Sequence, residues 1–180
     1  MKNEKNIIYF LMCLVVITWG LDYVKAKYAL ELLDPLSLLF FKYASAIFLV
    51  FFLKLKMDRS AMMRKKDLLL YVACAVFGDI LYFHCEYTAM DYLPISLISI
   101  IIAWNGYNFV TEKLGKDYTT VSLTFNQLVC TLFLLAPYIV HRIPELPEFD
   151  YVLLLQLLYL GLICSGVGFL IMVRSLIVAV

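Results

Sequence analysis

The sequence predicts an all-α integral membrane protein of about six transmembrane helices, arranged as two inverted three-helix repeats. Three observations predict this fold class. Hydrophobic residues occupy 64% of the 180 positions, which is more apolar surface than one soluble core of this size can bury. These residues fall into runs long enough to cross a bilayer. Features of the first half also recur in the second half at a shift of 85 residues.

The predicted membrane spans are apolar runs of roughly 20 residues, the length that a helix needs to cross the hydrocarbon core. Lys2 and Lys5 precede the first run, but no small-residue cleavage site follows it, so we expect this run to be a retained helix and not a signal peptide. No hydrophilic domain interrupts the series, which indicates a single membrane domain. The six predicted spans cover residues 7–24, 35–53, 68–88, 94–111, 120–140 and 151–173.

The basic residues predict the orientation of the chain. Residues 54–67 hold six lysines and arginines, and basic loops of this kind stay in the cytoplasm. With this loop inside, eleven basic residues lie on the cytoplasmic side and three lie outside. We therefore expect both termini in the cytoplasm and the protein in the plasma (cell inner) membrane.

The internal repeat predicts an inversion. Each copy contributes three spans, and because three is odd, the second copy must enter the membrane from the opposite face. Inverted repeats are common in secondary transporters, which hold their solute near the bilayer midplane between the copies. At the shift of 85 the repeat pairs Trp19 with Trp104, Ser37 with Ser122, Leu38 with Leu123 and Phe40 with Phe125; a shift of 88 pairs Tyr71 with Tyr159 and Gly78 with Gly166. Chance alignment of two apolar sequences is the alternative explanation.

Several short motifs, in order along nearly the whole chain, resemble the EamA-type permeases of the drug/metabolite transporter (DMT) superfamily. In the first copy they are Thr18-Trp-Gly, Asp34-Pro-Leu-Ser, Phe77-Gly-Asp-Ile-Leu-Tyr and Leu93-Pro-Ile-Ser-Leu-Ile-Ser; in the second they are Ala103-Trp-Asn-Gly-Tyr-Asn, Leu123-Thr-Phe-Asn-Gln and Leu158-Tyr-Leu-Gly-Leu. The resemblance implies a fold of ten helices in two inverted five-helix halves. Against that pattern this chain is shortened, with an incomplete first repeat at 1–102 and an incomplete second repeat at 103–180.

The resemblance implies transport of small metabolites or amino acids by a secondary permease that exports them through alternating access. The alternative is a transport-inactive truncated membrane protein, or a subunit that needs a partner chain. The expected partners are the lipid bilayer, a small-molecule solute and a second copy or partner chain, with no nucleic acid. No motif of an enzyme, a metal site or a cofactor site is recognisable, so we expect no catalysis, no metal and no cofactor.

Lys42 and Asp79 are the charged residues that the sequence places deepest in its predicted spans. Lys42 follows Pro35 by seven residues, about 10 Å into the second span at 1.5 Å per residue. It matches a basic position of the family and is expected to anchor a carboxylate or phosphate of the solute; snorkelling to the outer interface is the alternative. Asp79 is expected to pair with Lys42 or to carry a coupling proton, and a purely structural ion pair is the alternative.

The remaining candidates are weaker. Asp79, Tyr82 and Glu86 fall on one face of an ideal helix, so Tyr82 is a predicted solute contact, and Glu86 is a predicted proton carrier alongside Asp79 and His84. Interfacial hydrogen bonding is the alternative for His84. Interhelical hydrogen bonding is the alternative for the second-copy amides, and an interfacial aromatic belt is the alternative for the aromatic residues. The predicted second-copy amides are Asn126 and Gln127, and the predicted aromatic walls are Trp19, Trp104 and Tyr107.

Overall fold

The computed structural model describes residues 2–58, 63–92, 111 and 113–179. The regular elements of those residues are all helical, in agreement with the predicted all-α class. They are α1 (Lys2–Leu30), α2 (Pro35–Met57), a 3₁₀ turn (Lys65–Asp67), α3 (Leu68–Ala73), a first π segment (Cys74–Leu81), α4 (Tyr82–Tyr92), α5 (Thr120–Arg142), a 3₁₀ turn (Ile143–Glu145), α6 (Tyr151–Leu158), a second π segment (Tyr159–Val167) and α7 (Gly168–Ala179).

Four helical stretches are long and apolar enough to cross a membrane: Pro35–Met57, Lys65–Thr88, Thr120–Glu145 and Tyr151–Ser175. They coincide with the second, third, fifth and sixth predicted spans. The first predicted span lies within α1, which is not among the four, and the fourth lies outside the described residues except for Thr111. The count of six therefore stays a prediction.

Many large apolar side chains lie on the outside of the helix bundle. Phe133 is 81% exposed and Leu69 is 77% exposed, which in water would leave a large unfavourable apolar surface. Inside a bilayer the same surface meets acyl chains, and the backbone polar groups are satisfied within each helix. The apolar spans and this exposed apolar surface identify an integral membrane protein.

The starts of α2 and α5 are fixed by N-caps 85 residues apart. The Asp34 carboxylate accepts hydrogen bonds from the backbone N–H groups of Leu36 and Ser37, each at 3.1 Å. The Thr119 hydroxyl accepts one from the N–H of Ser122 at 3.3 Å. Side chains of these types satisfy backbone donors that the first helical turn leaves without partners. The two caps are paired by the predicted repeat.

Helices α2 and α5 lie antiparallel, and each N-cap contacts the far end of the other helix. Asp34 accepts a hydrogen bond from the Tyr138 hydroxyl at 2.9 Å and lies 3.5 Å from the Arg142 guanidinium. At the opposite end, the Asp58 carboxylate accepts hydrogen bonds from the hydroxyls of Thr119 and Ser122. The two helices that the repeat makes equivalent therefore run in opposite directions.

The second π segment packs closely against α2 at Gly161. A Cβ atom built at this position would lie 1.8 Å from Ser45 Oγ and 2.3 Å from the Lys42 carbonyl oxygen. Ser45 Oγ also lies 3.1 Å from the Leu157 carbonyl oxygen. Only a residue without a side chain permits this approach, which is a common device where transmembrane helices pack.

Candidate functional site

The Lys42 ammonium is buried and paired with a carboxylate of α1. Lys42 Nζ lies 3.2 Å from both carboxylate oxygens of Asp22, and the Tyr87 hydroxyl lies 3.0 Å from it on a third side. The ammonium also lies 4.5 Å from the centroid of the Phe83 ring, within the range of a cation–π contact. Lys42 is 2% exposed and Asp22 is 7% exposed, so this lysine does not snorkel to an interface.

This ion pair lies in the wall of a cavity of about 60 Å³ inside the helix bundle. Space of that size holds a few waters or the head group of a small solute, since ligand pockets usually enclose about 300–1,000 Å³. Carboxylates, one ammonium and aromatic rings surround it. The lining residues are Trp19, Asp22, Lys42, Gly78, Tyr82, Phe83, Glu86, Cys164, Ser165, Phe169 and Met172.

The second π segment contributes a polar group to this cavity wall. The Ser165 hydroxyl is buried and has no hydrogen-bond partner among the described residues. An unsatisfied buried hydroxyl costs about 1–3 kcal/mol, so such groups usually mark a site that a ligand or water completes. Ser165 is 1% exposed.

Trp19 holds α1 against the same segment. Its indole N–H donates a hydrogen bond of 3.1 Å to the carbonyl of Cys164, and its ring packs edge-on against Phe169. A Cβ atom at Gly168 would lie 2.8 Å from the indole nitrogen. The predicted aromatic wall at Trp19 therefore lies at the cavity, fixed by the π segment behind it.

Asp79 lies in a separate polar cluster and does not pair with Lys42. The Asp79 carboxylate accepts hydrogen bonds from the Tyr43 hydroxyl at 2.7 Å, from the Gln127 amide at 3.0 and 3.1 Å and from the Thr131 hydroxyl at 2.5 Å. Asp79 is fully buried. The cluster joins the first π segment to α2 and α5.

The π turns explain why the expected common face of Asp79, Tyr82 and Glu86 is wrong. A π turn closes its hydrogen bonds five residues apart instead of four, so it rotates the side chains that follow. Asp79 lies within the first π segment and points to α5, whereas Tyr82 and Glu86 belong to α4 and line the cavity. The Tyr82 hydroxyl donates a hydrogen bond of 3.1 Å to Glu86.

The other predicted site residues fall in different places. Asn126 and Gln127 are buried, and the Asn126 amide donates a hydrogen bond of 3.3 Å to the Tyr71 hydroxyl; neither residue lines the cavity. His84 is exposed on α4. Trp104 and Tyr107 lie outside the described residues, so their predicted roles stay predictions.

Two polar clusters link the loop segments at the ends of the bundle. At one end, the Arg64 guanidinium donates hydrogen bonds to the carboxylates of Asp67 and Asp117 and to the Tyr118 hydroxyl; the bond to Asp67 contributes most to raising the pKa of Arg64 above its ordinary value. A wider pocket of about 580 Å³ lies near Asp58 and Thr119 at this end.

At the other end, the pKa of Asp34 is lowered. Partial burial raises it, but hydrogen bonds from Ser37 and Tyr138 together with the charge of Arg142 outweigh burial. Arg142 also contacts Glu145. Within 2–58, 63–92, 111 and 113–179, no cluster of three or more His, Cys, Asp or Glu side chains has the arrangement of a metal site.

Sequence reasoning missed two residues of the site. Asp22 carries a charge inside the first predicted span, and the same cost argument that selected Lys42 would have found it. Ser165 gave no signal, because a serine in an apolar run is common and its lack of a partner depends on three-dimensional packing.

Comparisons with known proteins identify one family. The family model described as "EamA-like transporter family" matches residues 6–105, which is more than half of the chain and includes α1 to α4. No curated protein matched the chain, and no solved structure matched it.

Proposed function

The chain belongs to the EamA-like transporter family, and from this premise we propose that it exports small metabolites, amino acids among them, across the plasma membrane as a secondary permease of the DMT type. The family model and the apolar helices support a membrane transporter. The solute class, the direction and the alternating-access mechanism are our proposal.

The observation that carries the proposal is the Lys42–Asp22 pair in the wall of the cavity. Charged side chains at membrane depth cost about 2.5–3.5 kcal/mol each on insertion scales, and a hydrophobic pair of similar volume often serves stability equally well. A pair held beside an internal space therefore suits the exchange of partners with a charged solute. Lys42 would bind an anionic group only after that group displaces Asp22.

Alternating access fits the way the two ends of α2 and α5 are linked. Asp34 with Arg142 closes one end, and Asp58 with Thr119 links the other. The cavity between them is too small for a whole solute, which corresponds to an occluded arrangement. In the predicted orientation, the wider pocket beside Asp58 opens toward the cytoplasm and supplies the route by which solute enters.

Efflux from proteoliposomes tests this function. Vesicles are loaded with a defined mixture of small metabolites and amino acids, and the released compounds are measured by mass spectrometry against protein-free vesicles. Export by the unmodified protein and its loss in Lys42→Ala support the proposal, provided that the variant is correctly inserted. No release of any compound contradicts it.

The small volume of the cavity favours a second candidate, a subunit that needs a second copy or a partner chain to complete its solute path. The molecular mass of the detergent-solubilised protein separates the two. A homodimer that is active in the efflux assay supports the second candidate, and an active monomer excludes it.

A further inference from the structure

The charges around the internal cavity are unequal. Three charged residues line it: Asp22 and Glu86 carry carboxylates, and Lys42 carries the single ammonium. Asp22 and Lys42 bind each other, which leaves the carboxylate of Glu86 as the excess charge of the wall. Glu86 is 6% exposed. In a space with little water, an excess carboxylate favours a cation and opposes an anion strongly.

The uncharged part of the wall has the same preference. Trp19, Tyr82 and Phe169 present aromatic rings to the cavity, and aromatic faces attract ammonium groups. Phe83 already shows this behaviour with the Lys42 ammonium at 4.5 Å. The Ser165 hydroxyl, which has no partner in the described part of the chain, adds an acceptor for an N–H group.

We propose that this cavity recognises the protonated amine of the exported solute, so that amines and amino acids are carried and acids without an amine are not. The inference rests on the proposed export function and names its solute class. Glu86 binds the ammonium, Ser165 accepts one of its hydrogen bonds, and the aromatic rings surround it. For an amino acid, the carboxylate lies toward Lys42, where it competes with Asp22.

The volume of the cavity agrees with a head-group site. About 60 Å³ accommodates an ammonium with one or two carbons, whereas a complete amino acid side chain needs more room. The amine therefore determines whether a compound is accepted, and the rest of the solute lies where the bundle opens.

A chemically matched series tests the inference in proteoliposomes. One set of vesicles contains free amino acids, a second contains the same amino acids acetylated on the amine, and a third contains their amides, which keep the amine and lose the carboxylate charge. A fourth set contains metabolites without an amine. All are held at mildly acidic pH so that the amines stay protonated, and release from protein-free vesicles is subtracted.

We expect the free amino acids and the amides to leave and the N-acetylated compounds to stay. Release of N-acetylated compounds as fast as their parents overturns the inference and leaves the export function standing. Release of amine-free metabolites alone has the same meaning. If no compound in any set leaves, the export function itself fails, and the inference fails with it.

Variants locate the amine site. Glu86→Gln keeps the shape of the side chain and removes its charge, and we expect it to slow amine release about tenfold or more, the loss typical of a charge-assisted hydrogen bond. Ser165→Ala should have a smaller effect in the same direction. Glu148→Gln is the matched control, because Glu148 is exposed and lies outside the cavity; equal rates in Glu86→Gln and Glu148→Gln would overturn the assignment.

Discussion

The Lys42 ammonium lies 3.2 Å from both carboxylate oxygens of Asp22, and this pair joins α2 to α1 inside an otherwise apolar bundle. Neither charge can reach water without a movement of the helices, because both side chains are buried. The pair therefore links the stability of the protein to the cavity beside it.

Removing one charge of this pair should cost far more than removing both. Lys42→Met leaves the Asp22 carboxylate buried and unpaired, and we expect a loss of about 3–5 kcal/mol in the free energy of unfolding. The double variant Lys42→Met/Asp22→Asn should recover most of that loss and remain inactive in efflux. Unfolding in detergent, followed by tryptophan fluorescence, measures the stability; a double variant as unstable as the single one would contradict the expectation.

The Asp79 cluster should behave as a unit. Asp79→Asn and Thr131→Val each remove part of the hydrogen bonding that links the first π segment to α5. We expect their effects on unfolding free energy to be non-additive by about 0.5–3 kcal/mol, as for side chains that share one network. The double-mutant cycle is measured in detergent, and strictly additive effects would show that the two side chains act independently.

Gly161 should tolerate no side chain. Gly161→Ala places a methyl group against Ser45 and the Lys42 backbone, and we expect a destabilisation of about 1–3 kcal/mol from overpacking. Gly20→Ala is the matched control, since a Cβ atom at Gly20 meets nothing within 4 Å. Thermal unfolding of the two variants should differ clearly, and equal unfolding temperatures would argue against the close approach of α2 and the second π segment.

Asp34 should contribute stability that depends on pH. Its pKa is lowered in the folded protein, so the folded state favours the carboxylate, and this contribution is present above the unfolded value of about 3.9. It is lost as the pH falls through the lower folded value. Asp34→Asn should be less stable than the unmodified protein by about 1 kcal/mol at neutral pH, and the difference should shrink below about pH 4. A difference that is constant from pH 7 to pH 3 would contradict this origin.

Much of the fold could be predicted because membrane spans carry strong sequence signals. Long apolar runs, the Asp34-Pro35 helix start and the polar turn before Thr120 located the spans that the structure shows as long apolar helices. The π segments could not be predicted, because a uniformly apolar span has no periodicity to reveal a change from four-residue to five-residue hydrogen bonding. That change is the reason why Asp79 lies apart from Tyr82 and Glu86.

The candidate site was predicted in part. Burial cost identified Lys42 as a residue that needs a partner, but the choice among possible acids depends on how α1 packs against α2, which one sequence does not contain. The repeat at 85 residues predicted the correspondence of Lys42 with Gln127, and the structure places both on α2 and α5, the antiparallel pair. The inversion of the complete copies stays a prediction.

Labelling of single cysteines tests the central arrangement, in which α2 and α5 cross the bilayer in opposite directions. Lys66→Cys, Lys116→Cys and Glu148→Cys are introduced one at a time into a protein whose five native cysteines are replaced, and intact cells are treated with a membrane-impermeant maleimide. Positions 66 and 116 should both be protected until the cells are opened, and position 148 should react from outside. Reaction of 66 and 116 from opposite sides of the membrane would contradict the inverted arrangement and the permease built on it.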